Sequence, residues 1–118
     1  MAKILIVDDS KTSRKILRSI LESNGHEVIG EAINGEEAVS KFLELQPDIA
    51  TMDITMPIMD GLEALKEIMN IDKNAKVVMV TAAGQKTKMV DAVKYGAVEF
   101  LTKPFDSLQI IEIIEKVI

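Results

Sequence analysis

The sequence predicts an α/β fold, a five-stranded parallel sheet with helices on both faces. Three observations lead there. Short apolar runs rich in Val and Ile recur five times, each is followed by a segment of helical period, and the connections between them are short. Lys3-Ile4-Leu5-Ile6-Val7 is continuous and β-branched, as expected of a strand covered on both sides. From Ser10 to Asn24, Ile16, Leu17, Ile20 and Leu21 repeat at helical spacing, and Asn24-Gly25 ends the run. Glu27 to Ala32 reads as the second strand. Asn34-Gly35-Glu36-Glu37 starts a capped helix that Ala38, Val39, Phe42, Leu43 and Leu45 continue up to Pro47. Asp48 to Asp53 is the third strand. Asp60-Gly61-Leu62-Glu63 opens a helix through about Asn70. Lys76 to Thr81 is the fourth strand, and a helix from about Lys86 ends at Gly96. Val98 to Thr102 is the fifth strand, after which Asp106-Ser107-Leu108-Gln109 caps a last helix to Ile118. Right-handed crossovers make this β-α series a parallel sheet, expected as one domain over residues 1–118.

Composition removes several classes of function. The 118 residues include no cysteine, so disulfides, thiolate metal sites and cysteine nucleophiles are excluded. No apolar run approaches the ~18 residues that span a bilayer, and a cytoplasmic, non-membrane protein is expected. The formal charge of −5 has the wrong sign for non-specific nucleic-acid binding. The four aromatics, Phe42, Tyr95, Phe100 and Phe105, are too few for a base-stacking platform.

In open α/β sheets, ligands gather beyond the carboxyl ends of the strands, where the strand order reverses. Strand one ends in Asp8-Asp9, strand three in Asp53, strand four in Thr81 and strand five in Thr102-Lys103-Pro104. With strand order 2-1-3-4-5, strands one and three are neighbours, and Asp8, Asp9 and Asp53 share one crevice. Three carboxylates there repel one another, and a divalent cation relieves them. Oxygen ligands without histidine or cysteine favour a hard ion, Mg²⁺ ahead of Ca²⁺. Setting these three aside leaves fourteen basic against sixteen acidic residues, so the acidic excess is largely the site itself. Lys103 adds an ammonium and Thr81 a hydroxyl. A carboxylate, a metal, an ammonium and a hydrogen bond make an inventory for phosphoryl transfer, in which an aspartate can be the nucleophile. Taken singly, each residue has a plainer reading as a solvated turn, a strand end or a surface charge. Their joint placement at adjacent strand ends favours a site.

Four segments resemble the receiver domains of two-component response regulators over essentially the whole chain. They are Ile6-Val7-Asp8-Asp9-Ser10, Met52 through Gly61, Val80-Thr81-Ala82 and Thr102-Lys103-Pro104-Phe105. Without an output domain, the chain is most similar to the single-domain chemotaxis members. The resemblance implies that Asp53 is the phosphoacceptor. It implies Mg²⁺ held by Asp9, Asp53 and the backbone carbonyl of Thr55, with Asp8 acting mainly through a water. Thr81, Ala82, Lys103 and Phe100 would bind the phosphoryl group and carry the switch. Pro104 would follow a cis peptide bond, and Thr55 and Ala83 would flank the phosphoryl group. Neither of those two is charged, so no carboxylate is expected there to orient an attacking water.

Implied partners are a sensor histidine kinase (CheA-like), an output protein such as the flagellar motor switch protein, and a phosphatase. The product would be a phosphoprotein that catalyses its own phosphorylation and dephosphorylation rather than a turnover enzyme. A phosphorelay intermediate, or a receiver cut from a longer regulator, stays open. A flavodoxin-like electron carrier would share the fold, but Asp8-Asp9 replaces the phosphate-binding loop that a flavin needs. A Mg²⁺-dependent phosphohydrolase acting through Asp53 is the other rival.

Four further features carry expectations of their own. His26, after Asn24-Gly25, reads as a surface turn residue. Lys11, Arg14, Lys15 and Arg18 read as a solvated flank of the first helix or a contact for an acidic partner. Met52 and Met79 read as core, while Met56 and Met59 suit a moving loop. In the last helix Ile110, Ile111, Ile113, Ile114, Val117 and Ile118 cover about 160°, against the ~100° a core-facing helix needs. The excess is either surface apolarity, the edge of a docking face, or cover for chain beyond Ile118.

Overall fold

The computed structural model describes residues Met1–Ile118. Strands β1 (Lys3–Val7), β2 (Glu27–Ala32), β3 (Ile49–Asp53), β4 (Val77–Thr81) and β5 (Glu99–Thr102) alternate with helices α1 (Lys11–Ser23), α2 (Gly35–Leu45), α3 (Gly61–Ile71), α4 (Lys86–Tyr95) and α5 (Ser107–Val117). The sheet runs β2-β1-β3-β4-β5 with every pair parallel. The predicted elements and order are therefore present, with ends shifted by a residue or so.

Side chains alternating across the strands divide the core into two layers. Leu5, Val7, Ala50, Met52, Val77 and Met79 face α2, α3 and α4, meeting Ala38, Phe42, Ala64, Leu65, Ile68 and Ala92. On the other face, Ile4, Ile6, Ile49, Val78, Val80 and Leu101 meet Leu17 and Leu21 of α1 and Ile110, Ile114 and Val117 of α5. All residues of β3 and β4 are buried, which explains why those runs do not alternate in polarity. Ser10, Asn34, Asp60 and Asp106 cap α1, α2, α3 and α5 through side-chain acceptors, each worth ~1 kcal/mol to its helix. Helix α4 has no side-chain cap.

Packing overturns one expectation and narrows others. His26 is not a surface residue; it is 5% exposed. Its Nδ1 accepts a 3.1 Å bond from the Ala2 amide, and its Nε2 lies 3.5 Å from Glu115 of α5. The N-terminal residues and α5 close over the turn, an arrangement invisible to local sequence. Met56 is also buried, in the layer shared with α2 and α3, rather than free in its loop. The breadth of α5 is largely core: Ile111 and Ile113 pack at its margins, and Ile118 is the member left exposed. A recess of about 740 Å³ bordered by Met1, Ile49, Ile71 and Ile118 lies at the opposite end of the sheet from the aspartates.

Candidate functional site

The end of β1 and the end of β3 set the site. Because β1 and β3 pair side by side, Asp8 and Asp9 emerge next to Asp53, the last residue of β3. One carboxylate oxygen from each of the three lies within 4.8 Å of the others. Asp8 is 3% and Asp53 9% exposed, whereas Asp9 faces solvent. Two close backbone approaches hold this end of β3. The Gly61 amide donates to the Ile54 carbonyl at 2.7 Å, and a Cβ on Gly61 would stand 2.0 Å from the Asp53 carbonyl oxygen. Only glycine fits there. In the sequence Asp60-Gly61 marks a helix start, which it is, and gives no local sign of the spacing requirement at Asp53.

Lys103 reaches the cluster from the end of β5. Its Nζ stands 2.8 Å from Asp8 Oδ2 and 3.6 Å from Asp53 Oδ2. Asp8 Oδ1 accepts from the Ser10 amide at 2.9 Å, and Asp53 Oδ1 from the Ile54 amide at 3.1 Å. Burial, followed by the charge of Asp8, raises the Asp53 carboxyl to about 6, with Lys103 pulling the other way. Burial alone would lower Lys103; the hydrogen bond to Asp8 and the charges of both aspartates outweigh it and leave that ammonium above its ordinary value. The crevice is thus a set of hard oxygen donors whose repulsion one ammonium relieves only in part. That donor set fits a small hard divalent cation such as Mg²⁺. A nucleophilic carboxylate beside an ammonium and a cation site is equipped to receive a phosphoryl group.

The remaining predicted residues lie on β4 and β5 and in the loops that follow β3, β4 and β5. Thr81 ends β4, is 2% exposed, and donates its hydroxyl to the Leu101 carbonyl at 3.4 Å. Ala82 and Ala83 follow it in an exposed loop, and Thr55 is exposed in the loop after β3. The Lys103–Pro104 peptide bond is cis. Phe100 lies two residues before Thr102 on β5 and is half-buried against the layer that holds α2, α3 and α4.

Two residues near the site make contacts that leave no local signal in the sequence. Gln85 bridges the two loops: its Oε1 accepts from the Ala82 amide at 2.6 Å and its Nε2 donates to Thr55 Oγ1 at 3.0 Å. No local motif signals this, because Thr55 is thirty residues away. Arg14 belongs to the basic cluster expected to be a solvated flank. Instead its Nη1 donates to the Asp8 carbonyl and its Nε to Glu31 Oε1, both at 2.8 Å. Arg18 binds the other Glu31 oxygen. Burial would raise Glu31, but hydrogen bonds from Arg18 and then Arg14 hold it below its ordinary value. Lys11 and Lys15 are the members that remain exposed.

Comparison with known proteins gives a consistent picture. The family model described as response regulator receiver domain matches residues 4–115. The chemotaxis protein CheY of Thermotoga maritima is 50% identical over 115 residues, covering 98% of this chain and 96% of that protein. The CheY of Listeria monocytogenes is 51% identical over 116 residues and 98% of each chain. Among solved structures, the CheX-CheY-BeF3-Mg²⁺ complex from Borrelia burgdorferi superposes with a TM-score of 0.93 at 42% identity, covering 98% of this chain and 87% of that one.

Proposed function

Because the chain belongs to the response regulator receiver domain family, we propose that it is a signalling module accepting a phosphoryl group on Asp53 from a sensor histidine kinase. The observation that carries this reading is the placement of Asp53 beside Asp8 and Asp9, with Lys103 Nζ bridging Asp8 and Asp53 at 2.8 and 3.6 Å. An Asp53 oxygen forms the bond to phosphorus while the P–N bond of the donor phosphohistidine breaks and the electron pair leaves on the imidazole nitrogen. Asp8, Asp9, Asp53 and the Thr55 carbonyl would hold Mg²⁺, which when bound neutralises charge on the crowded carboxylates and on the phosphoryl oxygens. The Borrelia burgdorferi relative, a CheX-CheY-BeF3-Mg²⁺ complex, supports that assignment.

Lys103 then has a second set of oxygens to pair with. Phosphorylation replaces one negative charge by up to two. Lys103 shifts from Asp8 toward the new oxygens, Thr81 leaves the Leu101 carbonyl for one of them, and the Ala82 amide donates to another. Phe100 follows Thr81 inward and changes the surface formed by α4, β5 and α5. The receiver spans residues 1–118 and works in the cytoplasm; no helix is long and apolar enough to cross a membrane. It is a phosphoacceptor, not an enzyme acting on an external substrate. Its output is chemotaxis signalling, with a CheA-like kinase upstream, the flagellar motor switch downstream and a phosphatase resetting it. The two CheY relatives, each about half identical over nearly the full chain, support this output.

The test is intact mass after incubation with acetyl phosphate and Mg²⁺. A gain of one phosphoryl group in the parent and none in Asp53→Asn is expected. No gain in the parent, or an equal gain in Asp53→Asn, overturns the reading.

A further inference from the structure

The geometry points to Gln85 as a positioning residue that clamps the mouth of the acidic site at rest, by occupying the Ala82 amide that a phosphoryl oxygen would need. The inference rests on the phosphoacceptor reading of Asp53 and adds a residue that reading does not use.

Gln85 stands immediately before α4, at the place where the other four helices carry a side-chain cap. Its side chain makes no cap bond. It turns instead across the entrance to the aspartates, where one carboxamide joins the loop after β4 to the loop after β3. The Ala82 N–H can only donate, so the carboxamide oxygen must face it; the carboxamide nitrogen then donates to the Thr55 hydroxyl. A single N–H has one hydrogen to give. While Gln85 Oε1 holds it at 2.6 Å, it cannot serve an oxygen on Asp53. Phosphorylation therefore has to break the Gln85–Ala82 bond, which releases the Thr55 contact and the uncapped start of α4 together. The neighbours Ala82, Ala83 and Gly84 are small and exposed, and Gly84 has φ of +85° with open space around it.

Glutamine is suited to this role because one group both accepts and donates. Alanine at position 85 does neither. Valine at position 55 keeps the backbone carbonyl and removes only the hydroxyl that Gln85 meets.

The experiment uses the whole chain and two readouts. The first is exchange of the Ala82 amide with water, followed by ¹⁵N NMR without metal. Gln85→Ala is expected to speed it about tenfold, the effect of losing one hydrogen bond, and Thr55→Val to speed it less. The second is titration with beryllium fluoride in the presence of Mg²⁺. Gln85→Ala is expected to bind this phosphoryl mimic several-fold more tightly than the parent, because no competitor holds the Ala82 amide. Unchanged Ala82 exchange in Gln85→Ala, or unchanged or weaker uptake of the mimic, overturns the proposal. If neither parent nor variant takes up beryllium fluoride, the phosphoacceptor reading fails and the competition with it. The amide exchange still decides separately whether the bridge exists.

Discussion

The Lys103 ammonium sits 2.8 Å from Asp8 and 3.6 Å from Asp53, so it is paired first with Asp8 and only second with Asp53, the proposed acceptor. That asymmetry leaves the Asp53 carboxylate the less satisfied of the two, and the ammonium within reach of both.

Replacing Lys103 by methionine removes a unit positive charge from the cation site. At such distances in a partly hydrated crevice the interaction is worth ~1 kcal/mol or somewhat more, so Mg²⁺ should bind about fivefold or more tightly. The Asp53 carboxyl should also rise above about 6, since Lys103 is the charge lowering it. Titration calorimetry checks the first effect and carboxyl ¹³C NMR the second. Weaker Mg²⁺ binding would contradict the electrostatic account.

The raised Asp53 carboxyl gives stability a definite dependence on pH. Its folded value of about 6 lies above the ordinary 3.8, so the folded state binds this proton more tightly than the unfolded chain does. Ionised Asp53 therefore destabilises the metal-free fold fully above about pH 6, and the effect is lost as pH falls through 6 toward 4. Asp53→Asn should stabilise the metal-free protein by roughly 1–2 kcal/mol at pH 7.5, after allowance for solvent screening. Urea unfolding at pH 7.5 and pH 4 checks both the gap and its closure.

Gly61→Ala tests the close approach that holds the end of β3. A Cβ 2.0 Å from the Asp53 carbonyl oxygen cannot be accommodated without moving backbone, and a loss of about 3 kcal/mol or more is expected. At Gly25 a Cβ meets nothing within 4 Å, and the strain is confined to a φ of +84°. Gly25→Ala should lose only roughly 1 kcal/mol. Thermal or urea unfolding of the pair separates steric contact from backbone preference.

Arg14→Ala removes the bond to the Asp8 carbonyl and one of the two arginines on Glu31. The expected loss is about 1–2 kcal/mol of stability, with Mg²⁺ binding weakened because the turn carrying Asp8 and Asp9 loses its anchor. Arg18→Ala touches Glu31 but not Asp8. It should lower stability without changing Mg²⁺ affinity, as calorimetry of both variants would show.

What could be read from sequence, and what could not, follows from the range of the forces involved. Strand periodicity and capping residues are local, so the ten elements and the caps at Asn34, Asp60 and Asp106 were legible, while the cap that Ser10 gives α1 is a finding of the structure. In a parallel sheet, strand ends converge by topology, which is why Asp8, Asp9, Asp53, Thr81 and Lys103 could be placed in one crevice. The contacts that escaped join residues distant in sequence through side chains: Gln85 with Thr55, Arg14 with Glu31, His26 with Ala2 and Glu115. Nothing in the local pattern around His26 distinguishes an exposed turn from one covered by α5. The same holds for Met56, whose loop folds back into the core. Gly61 was visible as a helix start, but the 2.0 Å approach behind it depends on where β3 stops.

The central claim is that crowding of Asp8, Asp9 and Asp53 is what recruits a hard cation and readies Asp53 for its phosphoryl group. The most direct measurement is the titration of the Asp53 carboxyl carbon by NMR without and with saturating Mg²⁺. The midpoint should begin at about 6 and fall well below that value once the cation is present. A midpoint that magnesium leaves unchanged would contradict the claim.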